Sequence, residues 1–133
     1  MLTEVLTHNH ALVGKGASLA EVKDAEKALG TCFSEEYKDY LLKYGTAACN
    51  GHEFTGISSS ERVNVVDVTI FARENNPNVS SNMYVIEQTN IDGIVMWQDE
   101  EGVVYSTHNS DRPKVVAISI GAFLKEDNID ESN

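Results

Sequence analysis

Apolar residues recur at helical spacing in the first half of the chain and at strand spacing in the second. Leu2, Val5 and Leu6 fall on one side of a short helix within Met1–His10, which Gly14 and Gly16 bring to an end. Ser18-Leu19-Ala20-Glu21 is a capping box: the hydroxyl takes an orphan amide, and the glutamate three positions on reaches back. Leu19, Val22, Ala25, Ala28 and Leu29 then keep helical spacing, and Gly30 is a natural C-terminal stop. Ser34 opens a second helix. Glu35 and Glu36 suit the positive end of its dipole, Tyr37, Tyr40, Leu41 and Tyr44 form its apolar stripe, and Gly45 ends it. Asp39 and Lys43 add an i,i+4 pair of the better orientation. The short connection predicts an antiparallel helical hairpin.

Glu53–Ile57 has the composition of a short strand, followed by a serine loop at 58–60. Over Val63–Glu74, β-branched content fits a strand, whereas Val65, Val68 and Ala72 with Phe71 fit a helix. The helix is preferred, closed by Asn75-Asn76-Pro77. From Asn82 the pattern is β. Met83–Gln88, Gly93–Gln98, Gly102–Thr107 and Lys114–Ile118 are four strand-length runs joined by short polar loops, mostly with glycine. Ser119 caps a last short helix carrying Ala122, Phe123 and Leu124, and residues 127–133 are expected to fray as an acidic tail. The fold class is α+β: an antiparallel meander with an N-terminal helical hairpin and a short C-terminal helix packed on one face.

With 133 residues the chain is one domain, 1–133, long enough to bury a core without staples. Charge changes the picture more than size does. Twenty-one acids face ten Lys and Arg, for a formal net charge of −11. Nucleic acid and anionic membrane are repelled by such a surface, whereas a basic protein is attracted; negative charge also serves plain solubility. The apolar runs reach only four residues, too short to span a bilayer. Met1–Glu4 lacks the basic and apolar regions of a secretory leader, so the expected compartment is the cytoplasm, with Cys32 and Cys49 reduced. Asn78-Val79-Ser80 matches a glycosylation acceptor, which means little without a secretory route.

The stretch Trp97-Gln98-Asp99-Glu100-Glu101-Gly102-Val103-Val104-Tyr105 sets three carboxylates side by side between strand runs. They sit in a hairpin turn, without the alternating oxygen ligands and distal glutamate of a calcium loop. His8-Asn9-His10 is no metal pair on a helix, where i and i+2 face apart. Cys49-Asn50-Gly51-His52 is half a zinc site without its second half. As a nucleophile pair, Cys49 and His52 lack a visible orienting group and oxyanion donors. Cys32 reads as a small buried hydrophobe. Phosphate loops, dinucleotide fingerprints and hydrolase elbows are missing from the sequence. The expectation is therefore no catalytic residue, no metal and no cofactor. What survives is charge placement: residues 74–111 carry seven acids and neither Lys nor Arg. They suggest a docking surface for a basic protein, with Glu87, Asp92, Asp99, Glu100 and Glu101 as the contact residues. Trp97 is a candidate aromatic anchor for that contact, with the core as its stronger expectation.

The order of motifs is similar to that of the SUKH superfamily. Residues 18–45 resemble its opening signature through Glu26, Leu29 and Gly30, then Tyr37, Leu41, Tyr44 and Gly45. Residues 54–57, 65–69 with Arg73, 84–88, 92–97 and 102–105 follow in family order, and 123–126 fits its closing helix. Two positions depart from the pattern: Phe33-Ser34 replaces a Leu-Pro, and Gly45-Thr46 a glycine pair. The resemblance implies an α+β fold and a binding role, in many bacterial members as immunity proteins that neutralise secreted toxins, often nucleases or deaminases. Other members are regulatory, including ones tied to fungal cell-wall control. No catalytic set transfers. The expected function is a cytoplasmic immunity protein whose partner is a cognate, basic, nuclease-like toxin, with a regulatory interaction module as the alternative.

Overall fold

The helices that follow the first begin where a side-chain oxygen takes an orphan amide. In the computed structural model, which describes residues 2–125, α1 spans Leu2–His8, α2 Leu19–Leu29, α3 Glu35–Tyr44 and α4 Val65–Asn75. Both halves of the Ser18/Glu21 capping box form, and Gly30 closes α2 in the left-handed region at φ 67°. Ser34 caps α3 through the Tyr37 amide. Asn64 caps α4 through the amides of Val66 and Asp67, which resolves the ambiguous stretch as a helix burying Val65, Val68, Thr69 and Ala72. A last helix, α5, covers residues 120–125, and the Ser119 hydroxyl accepts the Ala122 amide at 3.0 Å. The acidic tail at 127–133 lies outside the described residues.

The predicted meander forms as β4 (Met83–Gln88), β5 (Ile94–Asp99), β6 (Val104–His108) and β7 (Lys114–Ala117), each antiparallel to the next. A second, three-stranded sheet contains β1 (Leu12–Val13), β2 (Ala47–Cys49) and β3 (His52–Phe54). Sequence spacing predicts neither β1 nor β2 and makes β3 too long, because strands of two or three residues show no period. The signal that was present is Asn50-Gly51, with φ 52° and 83°, the two positive angles of a hairpin turn. Asn-Gly there serves the backbone of β2 and β3 and has nothing to do with zinc spacing.

Both faces of the meander are covered. Tyr84, Ile86, Met96, Val104 and Ala117 join the core formed with α1, α2, α3 and α5. Met83, Val85 and Trp97 pack with Val68 and Ala72 of α4 on the opposite side. The hairpin and C-terminal helix thus share one face as expected, and α4 adds a layer on the other. Tyr37 and Tyr40 are core residues: Phe33 meets Tyr37 and Tyr84 edge-on, and Tyr37 lies tilted against Tyr40 and Tyr84, at centroid separations of 4.8–5.4 Å. The outer edge of β4 is sealed: Thr55 donates its amide to Ile86 and its hydroxyl to Val85, while the Thr69 hydroxyl accepts the Val85 amide.

Two glycines let separate loops touch. Gly45 ends α3 at φ 72°, and its carbonyl accepts the Ile57 amide. A Cβ on Gly56 falls 1.6 Å from that same carbonyl oxygen. Gly56→Ala is expected to cost about 3 kcal/mol, the upper end of overpacking penalties, read as a fall in the urea midpoint. Burial above all pushes the Tyr37, Tyr40 and Tyr84 phenols upward. In the unfolded chain they ionise near pH 10. A raised folded pKa means stability is intact below that pH and lost above it. Urea midpoints are expected to hold from neutral pH to about 10. Beyond it they fall, as the unfolding free energy drops by up to ~1.4 kcal/mol per pH unit for each phenol.

Candidate protein-docking surface

The acidic turn of the meander is built from the inside. Asp99 is only 8% exposed. Its Oδ1 accepts the amides of Glu101 and Val103 at 3.0 Å, and its Oδ2 accepts the Tyr105 hydroxyl at 2.9 Å. Burial and this carboxylate together hold the Tyr105 phenol above its ordinary value. Asp99 is therefore the turn's internal cap, with little surface left for the contact expected of it. Glu100 is exposed, yet its Oε1 accepts the Thr31 hydroxyl at 3.1 Å and the Cys32 amide at 3.3 Å, tethering the α2–α3 loop. Glu101 is exposed. Asp92 is exposed in the β4–β5 turn, at the other end of β5.

Glu87 also belongs to the interior. Strict alternation from Met83 and Val85 puts it on the α4 side. A bulge between Val85 and Glu87 instead sets it opposite Met96, on the face of the hairpin helices. There it is 4% exposed, with Oε1 2.8 Å from His52 Nδ1 and Oε2 accepting the Glu53 amide at 3.2 Å. Glu87 thus has little surface to offer the partner expected to contact it. It is also the orienting carboxylate that the sequence did not reveal for His52, whose cross-strand partner is Cys49. The imidazole lies against Phe54 and Phe123, and the Cys49 thiol is buried in the core. The pair welds the β2–β3 hairpin to β4 and α5. Trp97 is 1% exposed and donates Nε1–H to Thr107 at 2.9 Å, which settles it as a core residue.

A polar cluster that the pattern did not single out holds the turn to the helices. Gln98 is fully buried on the face of α3. Its Oε1 accepts the hydroxyls of Ser34 at 3.0 Å and Tyr84 at 2.7 Å. Its Nε2 donates to Glu36 Oε1 and the Gly102 carbonyl, both at 2.9 Å. Glu36 in turn accepts the amides of Ile120 at 2.8 Å and Gly121 at 3.0 Å, capping α5 from α3. The only sequence sign was Gln98 itself, a polar residue at an inward strand position. Arg73, the base next in sequence to the acid-rich stretch, donates to the carbonyls of Leu29, Ser81 and Met83, so its guanidinium joins α2 to β4. Among the described residues no group of three or more His, Cys, Asp or Glu is placed to hold a metal ion. No described helix is long and apolar enough to cross a membrane.

Gln98→Ala leaves Ser34, Tyr84 and Glu36 without their central partner. Its expected cost is about 3 kcal/mol, measured by urea denaturation, with loss of amide-exchange protection at Ile120 and Gly121.

No curated protein matches this chain. The SUKH_5 family model, described as SMI1-KNR4 cell-wall, matches residues 2–129 and so includes α1 as well as the motifs from 18 onward. With nearly the whole chain covered and the α+β order in place, the protein belongs to the SUKH superfamily.

Proposed function

We propose that this protein is an immunity protein: it binds a cognate toxin in the cytoplasm and blocks it by contact, making and breaking no covalent bond. The observation that carries this reading is the one-signed exterior between residues 74 and 111. Glu74, Asp92, Glu100, Glu101 and Asp111 are exposed there, that span holds no Lys or Arg, and the adjacent Arg73 is committed to backbone carbonyls. Membership of the SUKH superfamily is consistent with such a role. A nuclease-like toxin carries a basic substrate surface, and an acidic protein covers it by the same attraction that draws the substrate. Charge then raises the association rate, and packed contacts set the dissociation rate. The family description as cell-wall favours a second reading, a regulatory interaction module without a toxin.

Co-expression with the product of the neighbouring gene separates the two. Restored growth together with a stoichiometric complex is the expected result; growth unaffected by either protein favours the regulatory reading. Cys49→Ala is expected to protect as well as the wild type, because the mechanism uses no nucleophile. Asp92→Lys combined with Glu101→Lys leaves the internal caps intact. It is expected to slow association by about tenfold at low ionic strength, with the difference shrinking at high salt, as read by stopped-flow mixing.

A further inference from the structure

Resting on the toxin-binding role proposed above, we infer that the partner docks in the groove between the start of α3, the β5–β6 turn and the β7–α5 junction, and that it inserts a basic residue flanked by an apolar one. The groove has a volume of about 660 Å³. Val5 and Ala122 are apolar residues of its lining, and Ile118, 80% exposed, stands at its side. Among the described residues of the lining, Glu35, Glu36, Glu100 and Glu101 supply four carboxylates, against one ammonium from Lys125.

The charge of this groove is not neutralised by its hydrogen bonds. Among the described residues, the donors to Glu36 are the amides of Ile120, Gly121 and Gln98, and those to Glu100 are the Thr31 hydroxyl and the Cys32 amide. These donors fix geometry and bring no cation. Glu35 shares Lys38 at 3.4 Å with its side chain 88% exposed, a pair worth little in water. Fixed carboxylates beside an exposed isoleucine suit a guanidinium or ammonium on an apolar stem. A second copy of this chain is a poor occupant, because a symmetric contact sets four carboxylates against four. The walls are also joined to one another. Gly102 lies close enough to the Ile118 carbonyl and to Ser34 that a Cβ there comes within 3.9 Å of both, and Gln98 ties the turn to α3. A surface held this way loses little entropy on binding.

The other end of β5 gives an internal control, since Ile91 and Asp92 repeat the pairing of an exposed isoleucine, here 63%, with an exposed acid. The test measures dissociation of the neighbouring gene's product from Ile118→Asp and Glu101→Lys on one side, and from Ile91→Asp and Asp92→Lys on the other. Unchanged thermal midpoints verify folding. The groove variants are expected to dissociate about tenfold faster or more, and the control variants at the wild-type rate. Equal effects at both ends, or none at the groove, overturn the groove while leaving the toxin reading intact. If the wild type forms no complex with that product, the toxin reading fails and a second arm decides the groove. A synthetic helical peptide with Arg and Leu along one face is titrated into labelled protein and followed by amide shifts. The groove predicts the largest shifts at Glu101, Gly102, Ile118 and Gly121, and none with Glu in place of Arg. Shifts centred elsewhere, or insensitive to the peptide's charge, overturn it.

Discussion

A buried carboxamide has to find partners for both its oxygen and its nitrogen, and the way Gln98 meets that requirement organises the molecule. Its oxygen serves Ser34 and Tyr84, and its nitrogen reaches Glu36 and the Gly102 carbonyl. One side chain thereby fixes the cap of α3, the β5–β6 turn and, through Glu36, the first amides of α5. Packing alone is non-directional and tolerates slippage, whereas a fully satisfied polar cluster permits one arrangement. The aromatic group of Phe33, Tyr37 and Tyr84 lies next to this cluster and supplies the apolar burial.

The acids divide by what their oxygens face. Asp99, Glu87 and Glu36 accept amide hydrogens within the fold, and Glu26 does the same for Phe33 at 2.8 Å. These groups are structural, yet most meet no cation, so their charge still contributes to the field outside. Asp92 and Glu101 instead face water. Net charge in this protein therefore has two sources: carboxylates that hold loops together and carboxylates available to a partner. The protein is negative in part because of how it is built.

Rigidity and charge then act together. The bulge at Val85–Glu87, the sealed outer edge of β4 and the contact between Gly45 and Gly56 each remove a way for the frame to shift. A frame so constrained presents its turns at fixed positions, as the proposed inhibition by contact requires. The thiol and imidazole at Cys49 and His52 belong to the same frame: Glu87 and two phenylalanines hold the ring as a joint between the sheets.

Local chemistry was legible in the sequence. The capping box at Ser18, the serine caps, the glycine stops and the four meander strands follow from neighbours a few residues apart, where spacing and side-chain type decide the backbone. Even α4 was readable, because Val65, Val68 and Ala72 keep helical spacing against their own β-branched bias. The short β1–β3 sheet was not legible, since β1 and β2 meet across more than thirty residues of chain. Nor was the second layer formed by α4, which depends on which face a helix chooses. Tertiary structure alone decided which carboxylates point outward. A bulge turned Glu87 inward and a turn closed around Asp99, so two of the five contact residues read from the sequence became internal fasteners. The physical reason is that charge is a property of one residue, whereas exposure belongs to everything that folds against it.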